Sequence, residues 1–254
     1  DMNRDHLLLQ TPEARALAGL SRTYRPIAVF DSHEFTVAGR YLNKFQGVQR
    51  YDALLQTPTT ANVHEFVNKA STEWYLLPIQ KALTEQGQST NWYYTTSSKA
   101  DDLTLSMGGT RPDTGRNVYG LKNTASLLIE SRGTGIGRTH IQRRVHSHVV
   151  AIESALQTTA QRAKDLEQVR TFVSRDVASQ ACKGEFVLEA AHTPEKRRVV
   201  FLDPQTGEDR PQEVNWNSAV KLRPLGTRAR PCGYWLSPSS GDAADKLRLL
   251  GLQV

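Results

Sequence analysis

A glutamate ends the most apolar stretch in the middle of the chain. Glu130 follows Leu127-Leu128-Ile129, where an ionised carboxylate is costly unless it is paired or used. Its position makes it a candidate general base, a group that accepts a proton during catalysis. From spacing alone, an ion pair with the nearby Arg132 or Arg138 explains this glutamate equally well.

Two further residues occur in contexts that suit binding. Ile27-Ala28-Val29-Phe30 is a continuous apolar run, typical of a strand buried on both faces, and His33 lies just past its end. Open α/β sheets place their ligands at this carboxyl edge. Arg4, which follows Asn3, carries a guanidinium that can hold a carboxylate through two parallel hydrogen bonds.

The elements that must position these residues predict an α/β fold. Thr11-Pro12-Glu13 is a capping pattern that begins a helix ending near Tyr24. We expect a mixed, mostly parallel sheet flanked by helices, with a long irregular connection over residues 39–60. Further helices are predicted over 63–86 and about 139–178, and strands over 91–96, 103–106 and 125–130. The last helix carries an apolar stripe formed by Ile141, Val145, Val149, Ile152, Leu156 and Ala160.

Four segments together resemble a known family. They are Asn3-Arg4 within Asp-x-Asn-Arg-Asp, the strand ending at His33, the Gly115-Arg116-Asn117 loop and the strand Ser126-Leu-Leu-Ile-Glu-Ser-Arg-Gly133. Their types and order resemble the carboxypeptidase A-like zinc metallocarboxypeptidases over roughly residues 1–150. The Asn-Arg-Asp start and the glutamate-bearing strand are the best-matching pieces.

The resemblance implies a role for each candidate residue. Asn3 and Arg4 would bind the terminal carboxylate of a peptide substrate, His33 would ligate one zinc ion, and Glu130 would act as the general base. Tyr119, in the loop before the catalytic strand, would contact the substrate. The implied activity is zinc-dependent hydrolysis of a peptide that has a free C-terminal carboxylate.

One element of the family pattern is missing. The family's first zinc motif, His-x-x-Glu, lies upstream of the Asn-Arg pair, so we expect the catalytic domain to be incomplete at its N-terminus. Catalytic zinc normally has three protein ligands. We therefore expect this chain by itself to bind zinc weakly and to be inactive. The alternative function is a non-catalytic module that binds an anionic peptide or a cell-wall fragment.

Two other motifs are interpreted as structural. His192-Thr193-Pro194-Glu195 repeats the zinc spacing, but its proline and turn-like context favour a solvated loop. Gly133-x-Gly135-x-Gly137 is a weak match to a dinucleotide-binding turn, and it favours a tight turn between a strand and a helix.

Amino-acid composition and sequence pattern limit the remaining predictions, which concern domains, partners and location. We predict a catalytic domain over residues 1–180 and a β-rich module over 181–254 that contains both cysteines, Cys182 and Cys232. The net charge is +6, but the basic residues are scattered, so no nucleic-acid partner is expected. A mean hydropathy of −0.51 with no long apolar run argues against a membrane protein. A possible disulfide favours a secreted or periplasmic location over the cytoplasm, and the oligomeric state stays open.

Overall fold

A computed structural model describes residues 2–254, and Asp1, the first residue of the Asp-x-Asn-Arg-Asp motif, lies outside them. The helices are α1 (Pro12–Tyr24), α2 (Arg40–Phe45), α3 (Glu65–Lys69), a π-helical segment (Ala70–Leu76), α4 (Leu77–Glu85), α5 (Gly115–Leu121), α6 (Ile141–Ser179) and α7 (Gly241–Leu250). The strands are β1 (Ala28–Thr36), β2 (Val48–Gln49), β3 (Ala53–Gln56), β4 (Thr90–Trp92), β5 (Tyr94–Thr96), β6 (Thr104–Met107), β7 (Ala125–Thr134), β8 (Glu185–Leu202) and β9 (Asp209–Ala229).

The first sheet has the strand order β1-β7-β3-β4. The β1–β7 and β3–β4 pairs are parallel, whereas β7 and β3 are antiparallel. The expected mixed α/β architecture is therefore confirmed. β1 extends to Thr36, so His33 lies within the strand and not just past its end, as the sequence had suggested. The apolar run 27–30 marks only the first half of β1, because the second half carries polar side chains that face the cavity described below.

The second sheet has the strand order β2-β8-β9-β6-β5. The two long strands β8 and β9 form an antiparallel hairpin, and this hairpin joins β2 and β6, which come from the first half of the chain. The domain boundary at residue 180 stays a prediction, but strands from both sides of it share this sheet. A disulfide joins Cys182 to Cys232, and α7 packs on α1 through Leu249 and Leu250.

Two clusters of apolar side chains hold the layers together. β3 shows how, because Leu55 belongs to the cluster under the helices, whereas Leu54 belongs to the cluster between the sheets. Both leucines are fully buried, and burial of each contributes about 1.5–3 kcal/mol to folding. Successive strand side chains point to opposite faces, so one short strand serves both interfaces. The sequence placed this segment in an irregular connection, and that expectation was wrong.

The long helix α6 packs differently from its sequence pattern. The expected stripe faces solvent, with Val149 52% and Leu156 65% exposed. The buried face instead uses small residues such as Ala151 and Ala155, which let the helix approach the sheet closely. Among residues 2–254, no helix is both long and apolar enough to cross a membrane.

Candidate active site between two parallel strands

The structure brings four of the five sequence-predicted site residues to one cavity. β1 and β7 run parallel, and His33 lies opposite Glu130 in their register. A cavity of about 990 Å³ opens beside them, and Asn3 and Arg4 also line it. His33 and Glu130 thus lie side by side within two neighbouring strands, and both line one cavity together with Arg4. The rest of the lining comes from 34–36, 39–41, 93–96, 108–111, 113, 114, 116 and 192.

Glu130 is a buried carboxylate with an unusual proton affinity. Only 7% of the residue is exposed to solvent. Burial raises the pKa of Glu130 to about 7, although the nearby charges of His33 and Arg116 act in the opposite direction. Among the described residues, no ion pair joins Glu130 to Arg132 or Arg138. The structure thus does not support the purely structural alternative for this glutamate.

His33 is oriented by a neighbouring carboxylate. Its Nε2 lies 2.6 Å from Asp31 Oδ1 and 3.5 Å from Asn3 Nδ2. The hydrogen bond to Asp31 raises the pKa of His33. With the Nε2 proton donated to Asp31, Nδ1 keeps its lone pair for a ligand. This carboxylate–histidine arrangement is the usual support of a metal-binding imidazole.

The described residues do not complete a metal site. Within residues 2–254, no group of three or more histidine, cysteine, aspartate or glutamate side chains is placed to hold a metal ion. His33 offers one suitable nitrogen, whereas catalytic zinc normally has three protein ligands. The donor set therefore fits one ligand of a zinc site, and further ligands would have to come from elsewhere.

The Asn3-Arg4 segment forms a short 3-10 turn at the edge of the cavity. Asn3 Oδ1 accepts a hydrogen bond of 3.2 Å from the backbone N–H of Gly115, which ties this segment to the start of α5. Arg4 is exposed, and its Nη1 donates to the Asn3 carbonyl at 2.6 Å. Its guanidinium is thus accessible to a ligand that enters the cavity.

The structure does not bring Tyr119 to the cavity. This residue lies in α5, is 8% exposed, and packs its ring edge-on against His6 at a centroid distance of 6.0 Å. A helical turn replaces the expected loop here, so the side chain points into the protein. Tyr41, Tyr93 and Tyr94 line the cavity instead, and burial raises the pKa of Tyr93 to about 12.

A buried asparagine shapes one wall of the cavity. Asn117 Nδ2 donates to the carbonyls of Gly109 (3.0 Å) and Arg111 (2.7 Å), and its Oδ1 accepts from the Thr59 N–H (2.8 Å). These bonds fix the loop 108–111. Arg116, one residue earlier, is also buried and lines the cavity. Both residues belong to the Gly115-Arg116-Asn117 motif, and their types alone predicted no role for them.

His192 reaches the same cavity from the second sheet. The segment expected as a solvated loop is part of β8, because it pairs with β9. His192 Nε2 lies 3.0 Å from the carbonyls of both Met107 and Gly108. Glu195, its partner in the His-x-x-Glu spacing, is exposed and does not line the cavity. His192 therefore holds the loop 108–111 from the other side.

Comparison with known proteins gives a consistent set of similar chains. This chain is 27% identical over 256 residues to a Trichophyton rubrum protein named Carboxypeptidase 2, and 26% identical to a Trichophyton equinum protein of the same name. Each alignment covers 100% of this chain and 47% of the relative. A Trichophyton verrucosum protein named Probable carboxypeptidase 2 is also 26% identical, with 49% of its length covered.

The chain thus spans about half the length of the curated relatives it matches. No protein-family model matches the chain. No solved structure matches it either.

Proposed function

We propose that this chain is part of a carboxypeptidase that removes C-terminal residues from peptides, with zinc as its metal. The observation that carries the proposal is the pairing of Glu130 and His33 across two parallel strands at a cavity that also holds Asn3 and Arg4. The similar Trichophyton proteins, which are named carboxypeptidases, add independent support.

Each residue has a role that its surroundings suit. Arg4 and Asn3 hold the terminal carboxylate of the substrate at the cavity edge. Glu130, whose pKa of about 7 leaves it able to take up and release a proton near neutral pH, accepts the proton of the attacking water. It then passes this proton to the leaving amine, so the proton balance closes within one turnover.

His33 is the residue that we propose as a zinc ligand. Asp31 holds its ring in the tautomer that leaves Nδ1 available. When bound, the zinc ion supplies Lewis acidity toward the scissile carbonyl. Further ligands would have to come from outside the described residues. By itself, we expect the chain to bind zinc weakly and to lack activity.

A non-catalytic binding module remains the alternative from another functional class. The basic residues at the cavity would serve an anionic peptide or a cell-wall fragment equally well. Such a module, however, gives no reason to keep Glu130 buried without an ion pair. The proposed protein acts outside the cytoplasm, secreted or periplasmic, and the disulfide Cys182–Cys232 supports this location.

The test uses the intact protein and pairs of blocked peptides that differ only in a free or an amidated C-terminus. We expect cleavage of the free peptide alone, and loss of cleavage after chelation that zinc restores. Glu130→Gln should abolish turnover but keep peptide binding, whereas the exposed matched control Glu195→Gln should keep both. Equal cleavage of free and amidated peptides would remove the carboxylate clamp, and full activity of Glu130→Gln would remove the proposed base.

A further inference from the structure

One cation in the cavity is buried without a counter-charge. Arg116 is only 4% exposed, and its Nε has no hydrogen-bond partner among the described residues. Its guanidinium donates a hydrogen bond of 3.3 Å from Nη2 to Thr59 Oγ1. The guanidinium also lies 5.9 Å from the centroid of the Tyr93 ring. A buried charge normally requires an ion pair or a full set of hydrogen bonds, and Arg116 has neither.

The acidic groups near Arg116 do not fill this role. Glu34 lines the cavity but is paired with Arg144 through both carboxylate oxygens. Glu130 and Asp31 act on Arg116 electrostatically, but within the described part of the chain no ion pair joins Arg116 to either of them, and Asp31 is paired with His33. A carboxylate from outside the protein would supply what is missing.

The surroundings hold the guanidinium in place. Gly108 packs directly on it, so that a Cβ at this position would overlap Arg116 Nη2. Asn117 and His192 fix the loop that carries Gly108. Two other arginines line this part of the cavity, Arg40 in α2 and Arg111 in the loop 108–111, and both are exposed to solvent. Arg116 is thus the most buried of these three, and it has the most to gain from a ligand that supplies a charged partner.

The inference rests on the proposed function, in which Arg4 and Asn3 hold the terminal carboxylate. We infer that Arg116 binds a second carboxylate, the side chain of the released residue, so that the site prefers peptides ending in an acidic residue, glutamate or aspartate. Of the four arginines that line the cavity, Arg4 at its edge and the buried Arg116 are assigned here to the two carboxylates of such a residue. A bidentate guanidinium–carboxylate pair is strong in a site that excludes water.

The experiment measures binding of N-acetyl-L-glutamate and N-acetyl-L-glutamine to the chain by calorimetry. The two probes share the terminal carboxylate and nearly the same shape, and they differ in the charge of the side chain. We expect the glutamate probe to bind about tenfold more tightly or better, because the neutral amide leaves Arg116 unpaired. Equal affinities, or no binding of either probe, would overturn the inference.

Variants distinguish binding of the ligand's side-chain carboxylate by Arg116 from other roles of this residue. Arg116→Gln should remove the preference for the glutamate probe, and Arg116→Lys should keep part of it. Gly108→Ala keeps the charge but displaces the guanidinium, so it should reduce the preference even if Arg116→Gln fails to fold. The exposed control Arg198→Gln should leave both affinities unchanged. If Arg116→Gln weakened both probes equally, the residue would hold the terminal carboxylate instead.

Failure of this inference is distinguishable from failure of the proposed function. If the intact protein cleaves peptides without preferring acidic C-terminal residues, only the role of Arg116 is wrong. If the chain binds N-acetyl-L-glutamate through Arg116 but the intact protein cleaves no peptide, the carboxypeptidase proposal fails and the acidic ligand site stands.

Discussion

Replacing Glu130 with glutamine should make the metal-free chain more stable at alkaline pH. Burial raises the pKa of this carboxyl from 4.5 to about 7, so the folded state prefers the protonated form. The stability that this preference contributes is present below the unfolded-state pKa and is lost as the pH rises through the folded-state pKa of about 7. Above that value, the fold retains a buried charge that destabilises it.

The magnitude follows from the two pKa values. At 1.36 kcal/mol for each tenfold change in proton affinity, the full effect is about 3 kcal/mol. Between about pH 5 and about pH 8.5, wild-type Glu130 should lose about 2.5 kcal/mol of this contribution. Glu130→Gln has no proton to lose at this position. Over the same pH interval, its free energy of unfolding should therefore fall by about 2.5 kcal/mol less than that of the wild type.

Urea unfolding followed by tryptophan fluorescence, with EDTA present, measures this difference at both pH values. Comparing each variant with the wild type cancels the titration of all other groups. Glu195→Gln, at an exposed position of β8, is the matched control and should follow the wild type. If Glu130→Gln shows the same pH dependence as the wild type, Glu130 is not a buried, protonatable group, and its suitability as a proton acceptor fails with it.

Three further predictions concern other parts of the molecule. Asp52 accepts two hydrogen bonds from Arg143 and two from Ser89, and these outweigh burial and lower its pKa. Asp52→Asn should therefore reduce the free energy of unfolding by about 2 kcal/mol at neutral pH. Urea unfolding should show this difference vanish as the pH falls through the lowered pKa of Asp52. Asn117→Ala should destabilise the chain by about 2–4 kcal/mol, because the Thr59 N–H and the Arg111 carbonyl lose their partner and the Gly109 carbonyl loses one of two. Hydrogen exchange should be faster in residues 108–111. Dialysis against zinc followed by elemental analysis should find no tightly held ion in the isolated chain, and one ion per chain would mean that further side chains of this chain bind the metal together with His33.

The sequence was sufficient to find the two strands that carry the candidate site. Apolar runs 27–30 and 125–130 predicted β1 and β7, and parallel strands align their carboxyl ends. The pairing of His33 with Glu130 then depended on these strands being neighbours and on their register. Local pattern and one rule of sheet topology predicted the two strands, whereas the exact end of β1 was not predicted.

Other elements depended on contacts that no local pattern reports. β3 is only four residues long, and hydrogen bonds to the two strands that flank it, β7 and β4, stabilise its strand conformation. The long strands β8 and β9 contain polar and charged stretches, because much of their length is exposed to solvent. Residues 192–195 thus read as a loop, although pairing with β9 makes them strand. For α6, the helix was predictable but its buried face was not.

Arg116 shows why part of the candidate site could not be predicted from the sequence. Its type was visible, but its burial depends on the loop 108–111, on Thr59 and on Tyr93, which come from separate parts of the chain. The buried acid Asp5 gives the contrast, since it accepts hydrogen bonds from Gln10 and Thr11 within its own turn. A charge satisfied locally supports the fold, whereas Glu130 and Arg116 are buried in one cavity without an ion pair in the described structure. Their cost to stability is best explained by a ligand that completes the site, and binding of an acidic ligand is the measurement on which that explanation depends.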